Sequence, residues 1–111
     1  MENYYDPQFM GTEQYYRHPI GAFLYTDSIK HFCEKKEAWW TLDLIGSYVP
    51  ILKKYDFLVL TFDVTGNTAV FHAKEDTDQP DIVTQEIEYT DLPESVKLYW
   101  ENGVALFPSD H

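Results

Sequence analysis

The chain has 111 residues, 44% of them hydrophobic and 17% aromatic, which fits one domain with one core and sets aside a disordered chain despite a net charge of −11. Residues 74 to 111 hold ten acids against Lys74 and Lys97, whereas residues 1 to 73 hold nine acids and six bases, so −8 of that charge falls in the last third. Such a balance repels nucleic acid phosphate and anionic lipid and invites a basic protein partner.

Residues 1 to 10, polar and aromatic with Pro7, read as an N-terminal arm ahead of a single domain spanning 11 to 111. Tyr4, Tyr5 and Phe9 in that arm are suited to covering a neighbouring subunit, so a homo-oligomer is compatible with this reading. The segment MENYYDPQF has neither the basic nor the apolar stretch of a signal peptide, and no apolar run reaches the length of a membrane span. A lone cysteine, Cys33, fits a reducing compartment, and the protein is expected in the cytoplasm.

Thr12 is placed to cap a helical turn through Glu13 to Arg17, with Glu13 and Arg17 one turn apart as an ion pair and Pro19 as the stop. Ala22 to Tyr25 is a short strand candidate. Thr26 or Asp27 then caps a helix, because Ile29, Phe32 and Cys33 recur at helical spacing while Lys30, Glu34 and Lys35 face away. A second helix from Ala38 to Val49 is apolar on nearly every side and is expected to stop at Pro50. Its one charge, Asp43, must reach the solvent or find a partner.

Strands follow. Phe57 to Val64 and Ala69 to Lys74 flank Thr65-Gly66-Asn67-Thr68, and a two-residue turn with Gly first predicts a type II′ hairpin. That register pairs Phe62 with Phe71, Leu60 with Ala73 and Val64 with Ala69 on one face and leaves Thr61, Asp63 and His72 on the other. Residues 75 to 81 form a charged loop. Ile82 to Tyr89 alternates, with Val83, Ile87 and Tyr89 on one side and Thr84, Glu86 and Glu88 on the wet side. Val96 to Trp100 and Val104 to Phe107 flank Glu101-Asn102-Gly103, in which Asn-Gly is the strongest short hairpin signal, with a helix from Glu94 to Trp100 as the alternative. The expected fold is α+β, with two helices packed on one face of an antiparallel sheet of about five strands and polar residues on the opposite face.

The strings GTEQYYRH, LYTD, AWWTLDLIGS, TQEIEYTDLP and VKLYWENGVALFPSD, which run in order from Gly11 to Asp110, resemble a family of small bacterial, phage and plasmid proteins known only as a domain of unknown function. The chain departs from that family at Ser28, at Trp39-Trp40 and after the final Pro-Ser. The resemblance implies a phage or plasmid setting and carries no activity, cofactor or site residue with it.

Two groups of side chains carry chemistry. Around Tyr16, Arg17 and His18, the arginine is able to hold an anion and the histidine to move a proton, oriented by Asp27 or Asp43. The same residues also read as a short element tied to the core by tyrosines and an ion pair. Glu75, Asp76, Asp78, Asp81, Glu86 and Glu88 form the second group, read as a surface for a basic partner. Within it Glu86 and Glu88, with Asp91 near, read either as oxygen ligands or an acid and base or, more simply, as the solvated side of an amphipathic strand. His18, His31, His72 and His111 form no close ligand pair, Cys33 reads as a small packed hydrophobe, and no glycine run cradles a phosphate, so neither metal nor cofactor is expected. The leading expectation is a non-enzymatic interaction protein with an acidic surface. The rival is a small enzyme or anionic-ligand binder centred on Tyr16, Arg17, His18, Asp27 and Asp43.

Overall fold

The computed structural model describes residues 14–19 and 22–110. The arm expected over residues 1 to 10, together with Thr12 and Glu13, lies outside them. Two short strands, β1 (Tyr15–Arg17) and β2 (Leu24–Thr26), precede helix α1 (Asp27–Lys36) and helix α2 (Trp39–Leu52). Five strands follow: β3 (Phe57–Thr65), β4 (Thr68–Lys74), β5 (Asp81–Ile87), β6 (Val96–Glu101) and β7 (Val104–Leu106). A 3₁₀ turn, Pro108–Asp110, ends the described chain. All seven strands join one sheet in the order β1-β2-β7-β6-β3-β4-β5.

The α+β expectation holds, and so do the five strands after the helices. Three expectations about the strands change. Tyr15 to Arg17 is a strand rather than a helical turn, because it pairs with β2 from Tyr15 opposite Thr26 to Arg17 opposite Leu24. β2 in turn runs parallel to β7, so the sheet is mixed rather than purely antiparallel. Such a pairing joins segments some eighty residues apart, and no local pattern announces it. The helix alternative for Glu94 to Trp100 is overturned, since β6 pairs along its length with β3.

Local chemistry accounts for the hairpins. Gly66 has φ +62° with Thr65 opposite Thr68, as a Gly-first turn requires, and Phe62–Phe71, Leu60–Ala73 and Val64–Ala69 face each other in the expected register. Asn102 and Gly103 have φ values of 51° and 84°, both in the left-handed region that a type I′ turn demands between Glu101 and Val104.

In α1, the Thr26 hydroxyl accepts from the Ile29 amide at 3.4 Å, and Glu37 closes the helix with φ 52°. α2 runs past the expected stop: Pro50 lies inside its last turn. Only the hydrogen bond that Pro50 cannot donate is lost there, and the apolar residues beyond it, including the fully buried Leu52, still gain by packing.

α2 lies on the sheet face formed by Leu58, Leu60, Phe62, Phe71, Ala73, Leu98 and Trp100, all buried in one cluster with Ile29, Cys33, Leu42 and Ile45. The opposite face is less polar than expected, because Val59 and Leu106 are buried and Phe57 packs against Tyr99 at 5.0 Å. Tyr89, expected on the apolar side, lies beyond the end of β5 and is 68% exposed. Among the described residues no helix is long and apolar enough to cross a membrane.

Asp110 joins the end of the described chain to the start of α1. Its two carboxylate oxygens accept from the Thr26 and Ser28 hydroxyls, each at 2.9 Å, and from the Phe107 amide at 3.1 Å. A negative charge at a helix N-terminus also opposes the helix dipole favourably. Asp110→Ala is expected to lower unfolding stability by about 2 kcal/mol, the scale of hydrogen bonds to a charged acceptor, measured by chemical denaturation.

Candidate functional site

His18 follows β1 and is buried, with its ring stacked on Phe23 at 5.0 Å and its amide donating to the Phe23 carbonyl at 2.8 Å. Its Nε2 reaches Asp43 Oδ1 at 2.9 Å, so Asp43, the lone charge of α2, has both of the outlets expected for it: a partner and, at 71% side-chain exposure, the solvent. A depression of about 180 Å³ lies there, lined by His18, Asp43, Gly46 and Ser47.

The remaining members of that candidate group point elsewhere. The Tyr16 hydroxyl sits 2.6 Å from Gln14 Oε1 and 3.0 Å from Asp27 Oδ1 and has one proton to donate between them. Partial burial, and then the Asp27 carboxylate, push this hydroxyl above its ordinary pKa, away from any role as a base near neutrality. Arg17 is exposed on β1, one residue from His18 but outside the depression. Tyr16, Arg17, His18, Asp27 and Asp43 therefore make two separate pairs and an outlying arginine, not one catalytic cleft.

The acidic group also divides. β5 is an edge strand, at the opposite end of the sheet from β1, and a rise of about 3.3 Å per residue puts its two ends roughly 20 Å apart. Glu75, Asp76 and Asp78 are exposed in the loop at one end, and Glu86 and Glu88 lie at the other. Asp81, expected in the loop, is the first residue of β5, opposite Lys74 at a register shift. Its Oδ2 accepts from Thr84 at 2.6 Å and meets His72 Nδ1 at 2.8 Å, while His72 Nε2 meets Asp63 Oδ2 at 3.2 Å. The expected neighbourhood of His72 and Asp63 is thus present, with Asp81 as a third member.

What the structure brings together is Asp43 with Glu86 and Glu88. An open groove of about 540 Å³ runs between α2 and β5, lined by Trp40, Asp43, Leu44 and Ser47 from the helix and by residues 85 to 88 from the strand. No lysine or arginine lines it among the described residues. Gln85 and Ile87 face the helix, Gln85 accepting a short hydrogen bond from Tyr48, and the alternation of the strand turns Thr84 and Glu86 to the opposite sheet face. A second depression of about 350 Å³ on Thr68, Ala69, Val70 and residues 86 to 88 flanks the same stretch of β5. The sequence pointed to the carboxylates; the apolar partners Trp40 and Leu44 were hidden in a helix whose every side reads as buried.

Among the described residues no three His, Cys, Asp or Glu side chains are placed to hold a metal ion. Cys33 is fully buried, and that burial pushes its thiol up to about 11, well short of nucleophile behaviour. Thiol reagents at neutral pH are expected to label Cys33 no faster than the chain unfolds, measured by labelling rate against denaturant.

Hydrogen bonds from Thr84 and then His72 hold the Asp81 carboxyl below the ordinary carboxylate range. Its stabilising contribution is therefore full above the unfolded value near 4 and is lost as pH falls through the lower folded value. Asp81→Asn is expected to be less stable than the parent chain at pH 7 and to converge with it as pH falls through the folded Asp81 value, measured as melting temperature across an acid series.

A family model described as a family of unknown function, DUF6876, matches residues 7–111. No curated protein and no solved structure matches the chain.

Proposed function

The chain belongs to DUF6876, and from that premise and the geometry above we propose that it is a non-enzymatic interaction protein whose acidic sheet edge receives a basic protein. One observation carries the reading: Asp43 shares with Trp40, Leu44 and Ile87 an open groove that Glu86 and Glu88 border from the β5 edge. An ion pair alone at an exposed site contributes little, whereas carboxylates around an apolar strip attract a cationic partner at long range and hold it by burial at short range.

The loop acids Glu75, Asp76 and Asp78 extend the negative field along the same edge. In a cytoplasmic phage or plasmid setting, the partner class that fits is a host nucleic-acid-binding or defence protein, with these carboxylates standing where phosphates would. The separation of Arg17, His18 and the Tyr16–Asp27 pair supports this reading over the enzymatic one.

Affinity for the partner recovered from host extract is expected to fall at least tenfold when Glu75, Asp76, Asp78, Glu86 and Glu88 are all changed to Lys. It is also expected to fall steeply between low and high salt. Binding that is indifferent to both, measured by titration with the purified partner, would discard the proposal.

A further inference from the structure

β5 closes the sheet order, and no described strand pairs with its outer edge. The ladder states which backbone groups remain open. The two-residue turn makes Thr65 and Thr68 a hydrogen-bonded pair, so Thr68, Val70 and His72 bond toward β3, and Ala69, Phe71 and Ala73 bond toward β5. Their partners Ile87, Gln85 and Val83 are thereby satisfied, and the amides and carbonyls of Thr84 and Glu86 point to the unpaired side.

Side chains on either side of this edge differ in kind. Toward α2, an added strand would lay alternate residues against Trp40, Leu44 and Ile87. Toward the opposite face, its intervening residues would meet Glu86 and Glu88.

We propose that β5 is a docking edge for strand addition, and that its occupant is an extended segment of the partner in which apolar residues alternate with lysine or arginine. The inference rests on the acidic-partner reading and adds its binding mode: backbone hydrogen bonds to Thr84 and Glu86 give affinity, and the two-sided edge gives specificity. A second copy of this chain is the wrong occupant, because edge-to-edge pairing would bring Glu86 and Glu88 of both copies into one ladder, where like charges repel.

The test uses blocked synthetic peptides of about eight residues, a usual strand length. One alternates lysine and valine, one has the same composition in two blocks, and one is the alternating peptide N-methylated at every second residue. The alternating peptide is expected to bind at least tenfold tighter than the other two and to protect the Thr84 and Glu86 amides from hydrogen exchange.

Thr84→Pro is expected to abolish that preference, since Thr84 donates nothing to β4 and an edge strand tolerates proline at such a position. Thr84→Val, which loses the hydroxyl but keeps the amide, is expected to bind within about twofold of the parent. The N-methylated peptide poses the same question without altering the protein.

Equal binding of all three peptides overturns strand addition and leaves the charge reading standing. No binding by any of them at low salt, together with partner binding indifferent to charge reversal, overturns both. Protection of the same amides that rises with the concentration of the protein alone assigns the edge to a second copy and likewise overturns the inference.

Discussion

Trp40 and Tyr48, two turns apart on α2, press onto the neighbouring aromatic rings of β3 and β4. Trp40 meets Phe62 nearly edge-on at 5.7 Å, Tyr48 stacks on Phe71 at 5.9 Å, and Phe62 and Phe71 touch across the strands at 4.9 Å. Each such pair adds about 0.5–1.5 kcal/mol to what area burial alone provides. Their larger consequence is geometric, because close-packed rings leave α2 little freedom to slide. The groove exists because this layer holds the helix over β4 and leaves β5 partly uncovered beside it.

A second constraint closes the molecule at the other end. β2 runs parallel to β7, and Asp110 binds the two hydroxyls at the start of α1, so the first and last described elements share one region. His18 belongs to this closure. Its ring is held by Phe23 and its Nε2 by Asp43, which ties the turn after β1 to α2. A buried imidazole with an exposed carboxylate partner positions a loop well.

Seven of the ten acids of the last third consequently divide among three roles. Asp81 joins Asp63 of β3 in engaging His72 on the sheet, Asp110 serves α1, and Glu86 and Glu88 remain beside the open edge with the loop acids beyond the far end of β5. An edge strand without such charges would be prone to self-pairing. The same carboxylates that discourage a second copy favour a cationic segment, so solubility and recognition draw on one feature.

Both hairpins, the turn type of the first, the side-chain register of β3 on β4, the Thr26 cap and the apolar character of α2 were legible in the sequence, because each depends on residues within a few positions of one another. The strand at Tyr15 to Arg17 was not: a three-residue segment is extended only because β2 lies beside it, and β2 is placed by β7. Pro50 likewise marked the end of α2 by local rule, but burial of Leu52 outweighed one missing hydrogen bond. The sequence by itself determined the charge, its concentration in the last third and the alternation that set Glu86 apart from Ile87. Only the tertiary structure decided that β5 is an edge and that Asp43 shares a groove with Glu86 and Glu88, since strand order and helix placement arise from contacts between residues far apart in the chain.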